Sequence, residues 1–189
     1  MMELVWPAQP YLPSYVDALE RGWSPDNVRP EARREELERI RRDPLLFLEQ
    51  QVDREAAGPP VMLPDGSSVP RLPGYRRWMW DGAFCGVIGF RWQSGTTALP
   101  PHCLGHVGFS VVPWKRGLGY ATRALALLLP EAAREGLDYV ELTTDLSNVT
   151  SQAVIRSNGG ELVEQFQKPA AYGGAMSLRF RIPLVESRE

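Results

Sequence analysis

The chain predicts an α+β protein: a mixed, mostly antiparallel sheet flanked by helices. Three observations lead there. Residues 76–184 hold short β-branched and aromatic runs separated by turn signals. Within them, residues 104–112, a glycine-rich loop, residues 120–134 and residues 139–144 follow the order of a right-handed strand–helix–strand crossover. Residues 11–55 instead carry helical patterns rich in Glu, Arg, Ala and Leu.

Taken in order, residues 4–6 read as a strand stopped by Pro7, and residues 11–21 as an amphipathic helix stopped by Gly22. Residues 30–42, with Leu37 and Ile40 three apart, predict an exposed helix. Asp43-Pro44 has the form of an N-cap and a first-turn proline, opening a helix that runs to about Glu55. Residues 58–74 contain five prolines and three glycines, which points to a linker or an irregular hairpin. Residues 76–80 and 84–92 are strands joined at Asp81-Gly82, a hairpin signal. Residues 104–112 form a third strand. The helix at 120–134 contains Pro130, which removes a donor and crowds the carbonyl of Ala126, so a kink or break is expected there. After a strand at 139–144 and a helix at 148–157, residues 161–167 and 176–184 close the chain as strands.

The bulk composition narrows the function. With 189 residues the chain suits one domain, 1–189, with a substantial core. Its net charge of −2 lacks the basic excess that a nucleic-acid surface requires. No run of about 18 apolar residues predicts a membrane span, and no export leader opens the chain. Cys85 and Cys103 then read as reduced thiols in a cytoplasmic protein. His102, Cys103 and His106 do not suggest a metal site, because strand residues four apart lie about 13 Å from each other.

The chemistry concentrates at residues 111–122. An apolar strand ends at Pro113, a basic loop with Gly117 and Gly119 follows, and a helix begins. Unpaired amides at a helix N-terminus, with the positive end of its dipole, bind phosphate. A Walker loop needs Gly-Lys-Ser/Thr, but Gly119 is followed by Tyr120-Ala121. A dinucleotide fingerprint needs a third glycine where Thr122 stands.

Arg116-Gly117-Leu118-Gly119-Tyr120-Ala121 instead resembles R/Q-x-x-G-x-G/A, the acyl-CoA pyrophosphate loop of the GNAT (GCN5-related) N-acetyltransferases. The resemblance continues in Asp145 to Ser151, which follows D-x-x-N-x-x-S, in Gly105-His106-Val107-Gly108-Phe109 before the loop, and in Asn158-Gly159-Gly160 after it. It covers about residues 78–184. Residues 1–74 are a less typical helical part.

That resemblance implies a GNAT-like sheet whose central parallel pair, here 104–112 and 139–144, splays open. It implies acetyl-CoA as co-substrate, no metal, and an acetyl transfer to a small-molecule or peptide amine by direct attack. The implied cofactor-binding residues are Phe109, Val111 and Val112 on the strand edge, then Lys115, Arg116, Gly117, Leu118, Gly119, Tyr120, Ala121 and Thr122 in the loop, with Asn148 and Ser151 beyond. A backbone N–H such as that of Val111 polarises the thioester. His106 is the candidate base, since an imidazole near pKa 6.5 can deprotonate an ammonium at neutral pH. The resemblance places a general-acid tyrosine seven residues after Asn148, where this chain has Ile155. Tyr172, on a glycine-flanked loop, is the replacement candidate. The alternative is a CoA-binding regulatory module without catalysis. Similar proteins also form strand-mediated homodimers.

Overall fold

A computed structural model describes residues 1–184. Its elements are β1 (Glu3–Val5), α1 (Leu12–Glu20), α2 (Ala32–Arg42), α3 (Pro44–Glu49), β2 (Val52–Asp53), β3 (Val61–Met62), β4 (Ser68–Val69), β5 (Gly74–Trp80), β6 (Phe84–Arg91), β7 (Val107–Val111), α4 (Tyr120–Arg134), β8 (Tyr139–Asp145), α5 (Val149–Arg156), β9 (Glu161–Gln167) and β10 (Met176–Pro183). The result is a mixed α+β architecture in which every ladder among the described residues is antiparallel.

The strands form two main sheets. One runs β1-β5-β6-β7, with β2 also on β5; the other runs β8-β10-β9. The crossover strands β7 and β8 share no ladder. They meet at one point, where the His106 amide donates to the Glu141 carbonyl at 2.8 Å. Gly105 makes that approach feasible: a Cβ there would lie 3.0 Å from the Glu141 oxygen.

Each face of the first sheet has its own core. On one side Met79, Ile88, Phe90 and Val107 pack with Leu125 and Leu128 of α4, and the cluster continues through Val140, Leu142 and Phe180 of the second sheet. On the other, Trp78, Phe84 and Val87 meet Tyr15, Leu19 and Phe47. The Tyr15 ring stacks on Trp78 with centroids 4.4 Å apart. The strand β1 is clamped from two directions: it pairs with β5, and Arg123 of α4 donates from Nε to the Met2 carbonyl at 2.6 Å.

Three sequence expectations are corrected. The third helix ends at Glu49 rather than near Glu55, because Val52 and Asp53 extend the sheet edge beside Gly74 and Tyr75. The crossover strand begins at Val107 rather than residue 104, since residues 105–106 make the junction with Glu141. Helix α4 runs unbroken through Pro130. Pro130 and Ala126 both lie on the exposed side, where the freed carbonyl can bond water. Residues 58–74 form the irregular hairpin, with Val61 and Met62 opposite Val69 and Ser68. The end of the last strand is Pro183.

A buried polar cluster ties the helices to the sheet. Glu36 of α2, 5% exposed, accepts from the Tyr15 hydroxyl and, at 2.8 Å, from Arg76 of β5. Removing the cation leaves the carboxylate buried with a neutral partner, a costly state. Since the Arg76 side chain is itself 39% exposed, the cost is below that of a fully buried pair. Arg76→Met is expected to lower unfolding free energy by about 2 kcal/mol in urea denaturation, with Tyr15→Phe costing about 1 kcal/mol.

Candidate functional site

The loop between β7 and α4 is built to present backbone donors. Pro113–Lys115 forms a 3-10 turn, after which Gly117 (φ +77°) and Gly119 (φ +73°) take left-handed conformations. L-residues adopt such angles at a cost. Nothing lies within 4 Å of where a Cβ would stand at either glycine, so the space above the loop is open. No side chain caps α4. Among the described residues, none of the six amides of residues 117–122 has a hydrogen-bond acceptor. These six unpaired donors stand at the positive end of a 15-residue helix, an arrangement suited to an anion. Arg116 is exposed, and its Nε donates to the Val111 carbonyl at 3.2 Å.

Lys115 is placed differently from the expectation. Its ammonium lies 2.7 Å from Oδ2 of Asp81, in the β5–β6 turn, and the Tyr120 hydroxyl donates to the same oxygen at 2.7 Å. These hydrogen bonds hold the Asp81 carboxyl well below the usual carboxylate range, outweighing the opposing effect of burial. Trp114 is exposed beside the loop, with the Arg21 guanidinium 3.5 Å over its ring. Burial, and then neighbouring Asp81, pushes the Cys85 thiol up to about 12. A thiol this weakly acidic is no nucleophile at neutral pH.

The free edge of β7 supplies a second set of donors. In the β6–β7 register, Val87 faces Ser110 and Gly89 faces Gly108. The bonds Arg91 N–H to His106 O and Val112 N–H to Cys85 O continue this hydrogen-bonded series outward at both ends. Phe109 and Val111 therefore turn their amides and carbonyls away from β6. The outward carbonyls are held by side chains: Phe109 O by Asn27 Nδ2 at 3.1 Å and Val111 O by Arg116. The outward amides have no partner among the described residues. Val112 does not belong to this set, because its amide faces β6 and its side chain is fully buried.

His106 does not stand as a base. The ring is fully buried. Its Nδ1 accepts from the Glu141 amide at 2.9 Å, which puts the proton on Nε2, and Nε2 donates to the Thr97 carbonyl at 3.0 Å. Both nitrogens are thus occupied by backbone. Burial holds the ring below its ordinary pKa. The imidazole completes the junction between the sheets by standing in for a strand carbonyl. Tyr172, in the 3-10 turn Ala170–Tyr172, donates its hydroxyl to the His102 carbonyl, and burial raises its pKa. It must leave that bond before it can donate elsewhere. Asn148 caps α5, accepting from the Ser151 amide at 3.0 Å. Ile155 is buried in the core.

Sequence reasoning missed three contributors. Asn27 reaches the β7 edge from a loop 82 residues away, and the neighbouring Trp23 donates to Ser110 Oγ at 3.0 Å. Asp81 reads in the sequence as part of a turn signal and as one of several surface acids, and its bonds to Lys115 and Tyr120 are the part that is missed. No local pattern could have revealed these three. A polar depression of about 510 Å³, lined by Gln93, Thr97, Glu135 and Asp138 among others, lies at the far end of α4 from the loop. Among the described residues, no cluster of three or more His, Cys, Asp or Glu could hold a metal, and no helix is long and apolar enough to cross a membrane.

The comparisons with known proteins identify the family and the fold. The family model of the GNAT acetyltransferase domain matches residues 67–161, which takes in the β7 edge and the whole loop. The chain belongs to the GNAT acetyltransferase family. A search of curated proteins finds no match. Among solved structures it is similar to the microcin C7 self-immunity acetyltransferase MccE in complex with acetyl-CoA and AMP, at 14% identity and TM-score 0.63, covering 96% of this chain and 92% of that one. It is also similar to the Salmonella typhimurium acetyltransferase that modifies the N-terminal serine of ribosomal protein L7/L12 (14%, TM-score 0.60, 97% and 95% covered). A third is yncA from Salmonella typhimurium with its cofactor acetyl-CoA (15%, TM-score 0.54, 100% and 96% covered). At these identities the likeness establishes the fold.

The junction has a pH signature. The native imidazole is held below the unfolded value of about 6.5, so its stabilisation is complete above that pH and declines as pH falls toward the native pKa. The slope is at most about 1.4 kcal/mol per pH unit. Replacing His106 by Asn keeps an acceptor for Glu141 and removes the titration. Urea denaturation between pH 5 and 8 is expected to show a shallower decline for His106→Asn than for the wild type.

Proposed function

We propose that this protein moves an acetyl group from acetyl-CoA to a primary amine, by direct attack with both substrates bound. The observation that carries the reading is the run of unpaired amides at residues 117–122, in a chain of GNAT membership. The residues present suit coenzyme A. Six amides and the helix dipole would hold the diphosphate, with Arg116 as the adjacent cation. The outward amides of Phe109 and Val111 would accept an extended amide-bearing arm as an added strand. Either of those amides would serve to polarise a carbonyl. Acetyl-CoA brings the acetyl group on a thioester, whose thiol of pKa about 8.5 leaves without strong acid assistance. That relieves the need for a tyrosine at position 155.

The acceptor is a small-molecule or peptide amine. MccE and the L7/L12 enzyme illustrate the range among similar folds. The thiol state of Cys85 and Cys103 supports a reducing, cytoplasmic setting, and the packing of α1 to α3 on the first sheet supports one functional unit over 1–189. With His106 engaged on backbone, the acceptor proton passes to water or to the acceptor's own groups. The buried Ile155 favours a second reading, a CoA-binding module that regulates without catalysis.

Acetyl-CoA at 100 times its Kd is expected to stabilise the chain by about 2.7 kcal/mol, seen as a melting increase of roughly 5–10 °C. Free-thiol release across a panel of primary amines then separates the readings. Turnover supports the transferase, and a melting shift without turnover on any amine supports the module. Gly119→Ala forces a left-handed alanine into the cradle and is expected to weaken coenzyme A binding about tenfold by calorimetry.

A further inference from the structure

We propose that Asp81 is a positioning residue that latches the cofactor loop in its binding conformation, an inference that rests on the cofactor reading of residues 116–122. Its carboxylate sits in the β5–β6 turn, outside the loop and the crossover. One oxygen, Oδ2, receives Lys115 from the last residue of the 3-10 turn before the loop and the Tyr120 hydroxyl from the first residue of the helix after it, each at 2.7 Å. The residues between them, 116–119, contain both left-handed glycines, and nothing occupies the space above those two. Two glycines give the segment wide conformational freedom, and its own backbone bonds only at its ends, where the Arg116 amide donates to the Pro113 carbonyl and the Gly119 carbonyl accepts from Arg123, while the amides of residues 117–119 are unpaired. A fastening at both ends from a third element is what keeps the donors convergent before ligand arrives. The turn is itself stiffened, since the Asp81 amide donates to the Ala83 carbonyl and Oδ1 accepts from the Ala83 amide.

The latch and simple charge counting make opposite predictions. An acid beside a phosphate site repels the ligand, and removing it would free the Lys115 ammonium for the phosphates. On that view Asp81→Asn binds coenzyme A more tightly. On the latch view the loop loses its order and binds more weakly, because ordering must then accompany binding.

The test is calorimetric titration of coenzyme A into the full chain and its variants, with amide hydrogen exchange over residues 113–123 of the unliganded protein. Asp81→Asn is expected to weaken binding about tenfold and speed exchange in that segment, while the unliganded melting temperature stays within about 2 °C. Asp81→Glu keeps the charge and is expected to stay within about threefold of wild type. Lys115→Met weakens binding too, and the double variant Asp81→Asn/Lys115→Met is expected to be no worse than the weaker single, since the two share one interaction. Should Asp81→Asn fail to fold, Lys115→Met and Tyr120→Phe pose the same question with the turn intact. Equal or tighter binding by Asp81→Asn, or by those two variants in its place, overturns the latch alone. So does an equal loss in Asp81→Glu and Asp81→Asn. A wild type that gives no heat with coenzyme A overturns the cofactor reading and the latch with it.

Discussion

The site depends on a single constraint: β7 and β8 share no ladder, and the backbone bonding between their segments is confined to His106 and Glu141. A strand in mid-protein ordinarily exhausts its backbone donors on both neighbours. Here the pairing stops at His106 and Glu141, and from there β7 continues with its outer edge unmatched. The junction is economical in parts. The His106 amide donates to Glu141, and its imidazole returns an acceptor, so one residue supplies both halves of a ladder rung. Glycine at 105 allows the contact, and Thr97 fixes the tautomer. Two packed cores hold the strands rigid on either side, so the divergence is part of the fold and not a loose end.

From that divergence the two donor sets follow. The edge amides of Phe109 and Val111 lie just before the loop, and the amides of residues 117–122 lie in its second half and the first turn of the helix. A ligand with an extended amide arm and a diphosphate would meet them in sequence. Side chains hold the acceptors along the same path: Asn27 on Phe109 and Arg116 on Val111. The edge thus offers donors while its carbonyls are occupied, a polarity that suits carbonyl-bearing ligands.

Much of this was legible in the sequence because it is local. The loop glycines, the helix start at Tyr120, the Asn148 cap, the Asp43 cap and the Asp81-Gly82 turn all declare themselves within a few residues. What was not legible is long-range. His106 looked like a base because a lone histidine near a site has the right pKa. Its partners, Thr97 and Glu141, come from other segments, and only their arrival shows that both nitrogens are engaged. Lys115 reads as a phosphate ligand because it is a cation beside the loop, and only the arrival of Asp81 shows its ammonium engaged. Val52 continued a helical pattern by composition, yet an available sheet edge at Tyr75 outweighed that preference. Pro130 is the reverse case: a local rule fails because its cost falls on a solvent-facing turn.

The clamp on β1 bears on how the chain acquires its fold during synthesis. Strand β1 finds its partner in β5 some seventy residues later, and Met2, buried in the main core, is held by Arg123 of α4. On a ribosome the leading segment therefore waits for more than a hundred residues to emerge, on the order of ten seconds at ordinary elongation rates. During that interval Met2 and Leu4, which pack in the core that α4 completes, remain uncovered. One hydrophobic cleft of this protein thus has a wall made more than a hundred residues before the other.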